Sequence, residues 1–285
     1  LSVRAAGLGA RLGYAPADGT AKAAQAPGGI RRCGDDQLRH RGGGFEAAYA
    51  RARADAEALV EGGVDGLIVE NFGSAPFVKG TGHERIPAQQ AAALAHVGHA
   101  CKQLGVPVGV NCLRNDGISA LGIAAACGLD FVRINVHTGA YVTDQGLIEG
   151  EAHATLRYRM QLDATHVEIW ADVLVKHAAP LAPIEPETAT RDCVERGMAD
   201  AVVVSGEATG RPVDLALLER VRSASAGRPV IIGSGLSPAN AATLLPLAEA
   251  AIVGTWVKRE GKVHEAVDRD RVRALVEVCK GRFAS

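Results

Sequence analysis

The chain has 285 residues with an apolar share of 47%, 34 Gly and 12 Pro, which suits one large globular domain or two smaller ones and excludes collagen-like or wholly disordered chains. Lys and Arg number 31 against 32 Asp and Glu, a formal charge of −1, and aromatic residues make up only 4%. With no global positive field for a polyanion and few rings to stack bases, nucleic acid is not expected as a partner.

The first 44 residues differ from the rest: ten are Gly, six are aliphatic, and seven basic residues against three acidic leave this leader at +4 and the remainder at −5. No period of 2 or 3.6 runs through it, and so few apolar groups cannot offset the entropy of ordering it. An irregular or disordered leader is expected, followed by one domain over 45–285.

From Phe45 the pattern is regular. Phe45, Tyr49, Ala52, Ala56, Leu59 and Val60 fall on one stripe of a predicted helix over 45–61, stopped by Gly62-Gly63. A strand over 64–71 follows, then a helix from Pro87 to Leu104 and a strand over 106–113. The alternation continues with a helix near 116–127, a strand at 130–136, a helix at 151–162 and a strand at 166–175. Helices near 186–197, 214–224 and 238–247 precede strands at 200–205, 228–235 and 250–257, and a last helix covers about 269–281.

These strands are rich in Val and Ile and apolar at nearly every position, as strands buried on both faces of a parallel sheet must be. Seven strands with eight helices fit a (β/α)8 TIM barrel lacking its first strand, which the leader has replaced or hidden. A doubly wound sheet is disfavoured, because no G-x-G-x-x-G turn follows a first strand. The cysteines Cys33, Cys101, Cys112, Cys127, Cys193 and Cys279 form no C-x-x-C pair, so reduced thiols and a cytoplasmic location are expected. No stretch suits a membrane span or a signal peptide. His96 and His99 lie three apart on an outer helix, where scaffold is the expected role; neither metal nor cofactor is anticipated.

In a barrel, chemistry belongs at the C-terminal strand ends. The strand over 64–71 ends in Glu70-Asn71, and that over 106–113 reaches Asn111 and runs into Arg114-Asn115-Asp116. The 130–136 strand carries Arg133 and Asn135 and leads to a polar loop with Asp144-Gln145. Asp172, Lys176 and His177 close the next, and Ser205, Glu207 and Thr209 close the one after. Polar residues recurring on five successive ends are read as a ligand site, against the alternative of a salt-bridge network that satisfies itself. Asp172 or Glu207 is the candidate general base. Lys176 is a Schiff-base former or an ion-pair partner, and His177 an acid/base group or a plain loop residue. Gly233-Ser234-Gly235 before a helix opening at Ser237-Pro238, with Gly254-Thr255 after the last strand, offers backbone N–H groups and hydroxyls where barrels hold a phosphate.

The strings DGLIVENFGSAPF (65–77), GVNCLRND (109–116), FVRINVHTGAYVTDQGLIEG (131–150), ADVLVKHAAPL (171–181), AVVVSGEATG (201–210), VIIGSGLSPAN (230–240) and IVGTWVKREGK (252–262) resemble the BtpA/SgcQ family from about Phe45 to Phe283. The resemblance implies a TIM-like barrel whose motif residues include the strand-end groups just named, similar to phosphate-binding barrel enzymes. It also implies that some members take part in photosystem I biogenesis as peripheral membrane-associated factors. Members open with an apolar strand and a Leu-Pro-Leu-Pro-Gly-like turn, which residues 1–44 lack; a disturbed reading frame or a misplaced start upstream of Gly42 is the expected cause.

Two functions stand at this point. One is an isomerase or lyase acting on a phosphorylated sugar or nucleoside-like molecule. The other is a non-catalytic assembly or stability factor for a membrane complex, peripheral to the membrane. Self-association is left open.

Overall fold

A computed structural model describes residues 2–4, 23–25, 44–206 and 212–280. The chain begins with β1 (Ser2–Arg4), β2 (Ala23–Gln25), α1 (Phe45–Glu61), β3 (Gly66–Glu70), α2 (Ala88–Lys102), β4 (Val108–Asn111), α3 (Gly117–Cys127) and β5 (Phe131–Ile134). Next come β6 (Ala140–Thr143), β7 (Gly146–Glu149), α4 (Ala152–Gln161), β8 (Glu168–Val173), β9 (Ala178–Pro180), α5 (Pro186–Arg191) and β10 (Ala201–Val204). It closes with α6 (Leu215–Ala224), β11 (Val230–Ile232), α7 (Pro238–Leu244), β12 (Ala250–Ala251) and α8 (Arg269–Lys280). Strands β3, β4, β5, β8, β10, β11 and β12 lie side by side in that order, each parallel to the next.

Because side chains alternate along a strand, each of these strands feeds two different cores. Leu67, Val69, Val110, Val132, Ile134, Ile169, Val202 and Ile232 point outward into the large core shared with the helices. Ile68, Phe131, Trp170, Ala201, Val203, Ile231, Ala250 and Ile252 point inward and form a separate plug. Its centre is Phe131 stacked on Trp170, with ring centroids 3.8 Å apart. Gly109 lies opposite Phe131 in the β4/β5 register, and a Cβ there would sit 2.1 Å from the ring. The interior is therefore filled with side chains and is no pore.

The seven predicted strands and eight predicted helices are all present, most with ends shifted by a few residues, but the strand expected over 250–257 is reduced to Ala250–Ala251; the last turn after α5 widens into a π turn at Asp192–Arg196. The polar loop expected around Thr143–Gly146 is instead the tip of a hairpin. Strands β6 and β7 pair antiparallel with Thr143 opposite Gly146, and β9 adds to the other edge of β6. Tyr141 and Ile148 hold this small sheet down by packing with Val136 and Val175.

Within the leader, β1 pairs antiparallel and β2 parallel with β3, while β12 pairs with β11 alone among the described strands. The rest of the expected irregular leader lies outside the described residues. The helical ring is drawn together where β12 and β3 do not pair. Asp55 of α1 accepts from the buried Lys258 Nζ at 2.6 Å and from Val267 N at 2.8 Å, and a Cβ on Gly62 would meet Val272 of α8 at 2.4 Å.

Burial pushes the Cys101 thiol up to about 12 and those of Cys193 and Cys279 to about 11. At neutral pH these groups stay protonated and are poor nucleophiles, which assigns them to packing.

Candidate functional site

The inward-facing parity that builds the plug continues one step further up each strand, and there the residues become polar. Glu70 follows Ile68, Asn111 follows Gly109, Arg133 follows Phe131, Asp172 follows Trp170 and Ser205 follows Val203. All five are buried. Arg133 Nε and Nη2 donate to Asp172 Oδ1 and Oδ2, both at 2.8 Å, in a two-pronged ion pair between the neighbouring strands β5 and β8. Its third nitrogen, Nη1, lies 3.7 Å from Glu70 Oε1, and that same oxygen accepts from Asn111 Nδ2 at 3.1 Å. Asn135 Nδ2 adds a bond to Asp172 Oδ2 at 3.1 Å, and Ser205 Oγ lies 3.4 Å from Arg133 Nη2. Burial works against the charge of Arg133, but Asp172 and then Glu70 outweigh it, so its pKa ends raised and it remains a guanidinium.

Three residues expected from the sequence to bind substrate hold backbone in this structure. The Asn71 side chain pairs with Leu113, accepting from its N–H at 2.7 Å and donating to its carbonyl at 2.9 Å. Asn115 does the same to Val136, at 2.6 and 2.8 Å. Asp116 caps α3 through Ser119 N at 2.9 Å, takes Ile86 N at 2.8 Å, and faces Arg85. With these donors and acceptors filled, their effect on the site is to fix the loops around it. Arg85, which has no place among the residues expected at the mouth, ties the loop after β3 to Glu151 at 2.9 Å. Nothing in its local pattern marks it, since its partner is 66 residues away.

At the rim, Arg114 Nη2 donates to the carbonyl of Lys176 at 2.8 Å. Burial lowers the pKa of Arg114 against the pull of Asp172 and Asp144. His177 is lowered first by burial and then by Lys176 and Arg114, with Asp144 opposing, so at neutral pH it is uncharged. Asp144 and Gln145 form the turn of the β6–β7 hairpin and bond to each other at 2.5 Å. They overhang the rim rather than joining the buried ring. Lys176, His177, Ser205, Gly206 and Asp214 line a cleft of about 1030 Å³ between the ends of β8 and β10. Glu207 and Thr209 lie outside the described residues.

Beyond β11, Gly233 is the inward residue, and a Cβ on it would lie 2.3 Å from Ser205 Oγ. The Gly233–Gly235 loop thus abuts the ring directly. Ser234 is buried, and its Oγ has no hydrogen-bond partner among the described residues. The helix end that follows is less open to an anion than its sequence suggests. Asn240 Oδ1 accepts from Ser237 N at 2.8 Å, and its Nδ2 donates to the Gly235 carbonyl at 2.9 Å, so α7 closes on its own loop. Gly254 and Thr255 are half-buried just after β12.

A curled parallel sheet ringed by helices, plugged below and polar at its C-terminal mouth, defines a TIM-barrel protein. The fold is similar to that of tryptophan synthase from Mycobacterium tuberculosis, with a TM-score of 0.53 at 21% identity over 81% of this chain and 86% of that one. The BtpA family profile matches residues 34–281. The Photosystem I biogenesis protein BtpA of Synechocystis is 48% identical over 237 residues, 83% of this chain and 81% of that protein. An uncharacterised protein of Thermococcus kodakarensis is 46% identical over 239 residues, 84% of this chain and 88% of its own length. The chain belongs to the BtpA family.

Proposed function

We propose that the barrel mouth binds a phosphorylated small molecule, sugar-phosphate or nucleoside-like, with the anion at Gly233–Gly235 and Gly254-Thr255 and the remainder over the buried ring. The observation that carries this reading is Ser234. A buried hydroxyl without a partner costs free energy unless something supplies one, and this one stands between Gly233 and Gly235, the latter at a positive φ of 77°. Arg114 and Lys176 on the rim add positive charge. Chemistry on such a ligand would be proton transfer, as in an isomerase or lyase. Asp172 is poorly placed as the base, because Arg133 takes both its oxygens.

The test is calorimetric titration with inorganic phosphate, glycerol 3-phosphate and ribose 5-phosphate on the wild type and Ser234→Asp. Two unit charges 4 Å apart repel by about 4 kcal/mol at an effective dielectric of about 20, so the variant should lose at least about a hundredfold in affinity while remaining folded. Equal affinity in the two proteins, or no binding of any phosphate, overturns the reading.

A second reading, an assembly role for a membrane complex, is favoured by the name of the Synechocystis relative. Among the described residues no helix is long and apolar enough to cross a membrane, so this role would use the surface. Val142 and Leu147, paired on β6 and β7, are 49% and 40% exposed. In a Synechocystis strain lacking its own BtpA protein, this chain should restore photosystem I content and Val142→Glu/Leu147→Glu should not. No restoration by the wild-type chain counts against the role.

A further inference from the structure

We infer that the buried ring is a subsite for an uncharged hydrogen-bond donor, a sugar-like hydroxyl received by Asn135 Oδ1. The inference uses the phosphate reading only to place the other end of the ligand.

Asn135 is 3% exposed, and its Nδ2 donates to Asp172 Oδ2. That bond fixes the amide, because turning it over would set its carbonyl against a carboxylate. Its Oδ1 is left buried with no partner among the described residues. A buried carbonyl in this position selects a ligand that brings an O–H or N–H, and an apolar group would leave it unpaired.

The charges around it decide what kind of donor fits. Two donors of Arg133 already go to Asp172 and its third faces Glu70, so a carboxylate or phosphate would meet two buried carboxylates with few donors to spare. Glu70 and Asp172 are in turn balanced by Arg133, and Arg114 adds a second positive charge acting on Asp172, which removes the net attraction an ammonium group would need. An uncharged hydroxyl fits both conditions. Gly233, packed on Ser205, sets the proposed anion site directly beside this ring, so one hydroxylated phosphate ester reaches both.

The experiment is titration of the full chain with ribose 5-phosphate, methyl phosphate, inorganic phosphate and free ribose. The wild type should bind ribose 5-phosphate at least about tenfold more tightly than methyl phosphate, the worth of one good buried hydrogen bond. Asn135→Leu should erase that difference and leave inorganic phosphate binding within about twofold, since its contacts are elsewhere. If Asn135→Leu fails to fold, the wild-type comparison of the two esters decides alone. Equal affinities for the two esters overturn the inference. If no phosphate binds, free ribose separates the two claims: stabilisation by ribose keeps the donor subsite while the phosphate reading falls, and no stabilisation removes both.

Discussion

Arg133→Met is expected to lower the unfolding free energy by about 3–5 kcal/mol, because it strips the counter-ion from two buried carboxylates and leaves their desolvation uncompensated. Asp172 is 4% exposed and takes two of its hydrogen bonds from Arg133, and Glu70, equally buried, faces the same guanidinium. Arg133→Lys should recover little, since an ammonium cannot make the two parallel bonds. The double variant Arg133→Met/Asp172→Leu should regain part of the loss by removing the stranded charge. Urea unfolding of the three variants checks this. A loss below about 1 kcal/mol in Arg133→Met would mean that the ring is solvated and contributes little.

Gly109→Ala is the second large effect. Its Cβ would lie 2.1 Å from Phe131, and that ring has no room to retreat, because its other face is stacked on Trp170 at 3.8 Å. Overpacking of this kind costs about 3 kcal/mol or more, although alanine is an ordinary strand residue and a single methyl is added. Phe131→Leu alone should be destabilising through the cavity it opens, and combined with Gly109→Ala it should be less so than the sum of the two, which is the signature of contact. Thermal and denaturant unfolding measure the coupling. Additive losses would show that Gly109 is constrained by something other than the Phe131 ring.

The strand ends illustrate how much of the site could be read in advance. Glu70, Asn111, Arg133 and Asp172 were legible as a group, because each stands at the end of an apolar run and buried strand ends in a barrel face one mouth. Their neighbours Asn71 and Asn115 are equally polar, and the same pattern points them to the same mouth. The difference between Glu70 and Asn71 is the parity of a single residue, together with a loop that returns Leu113 to Asn71 from 42 residues away. Asp116 carried a usable signal, since Asp followed three residues later by Ser at a helix start is a capping pattern, and the structure uses it so. The β6–β7 hairpin also has a local trace, the Tyr-Val-Thr and Gly-Leu-Ile runs flanking a two-residue turn.

By itself the sequence determined the alternation of strand and helix, the parallel sheet buried on both faces, the barrel class and the family, because these rest on local periodicity and on long ordered motifs. Only the tertiary structure decided which charges meet. Arg133 and Asp172 are 39 residues apart, and they pair because the β5/β8 register sets Arg133 opposite Trp170, one inward position short of Asp172 and within reach of the long guanidinium side chain. It also decided that Phe131 fills the space of Gly109, that Asn135 keeps one buried oxygen unpaired among the described residues, and that α7 closes on its own loop. Each of these depends on distances across the fold, which no local pattern of residues encodes.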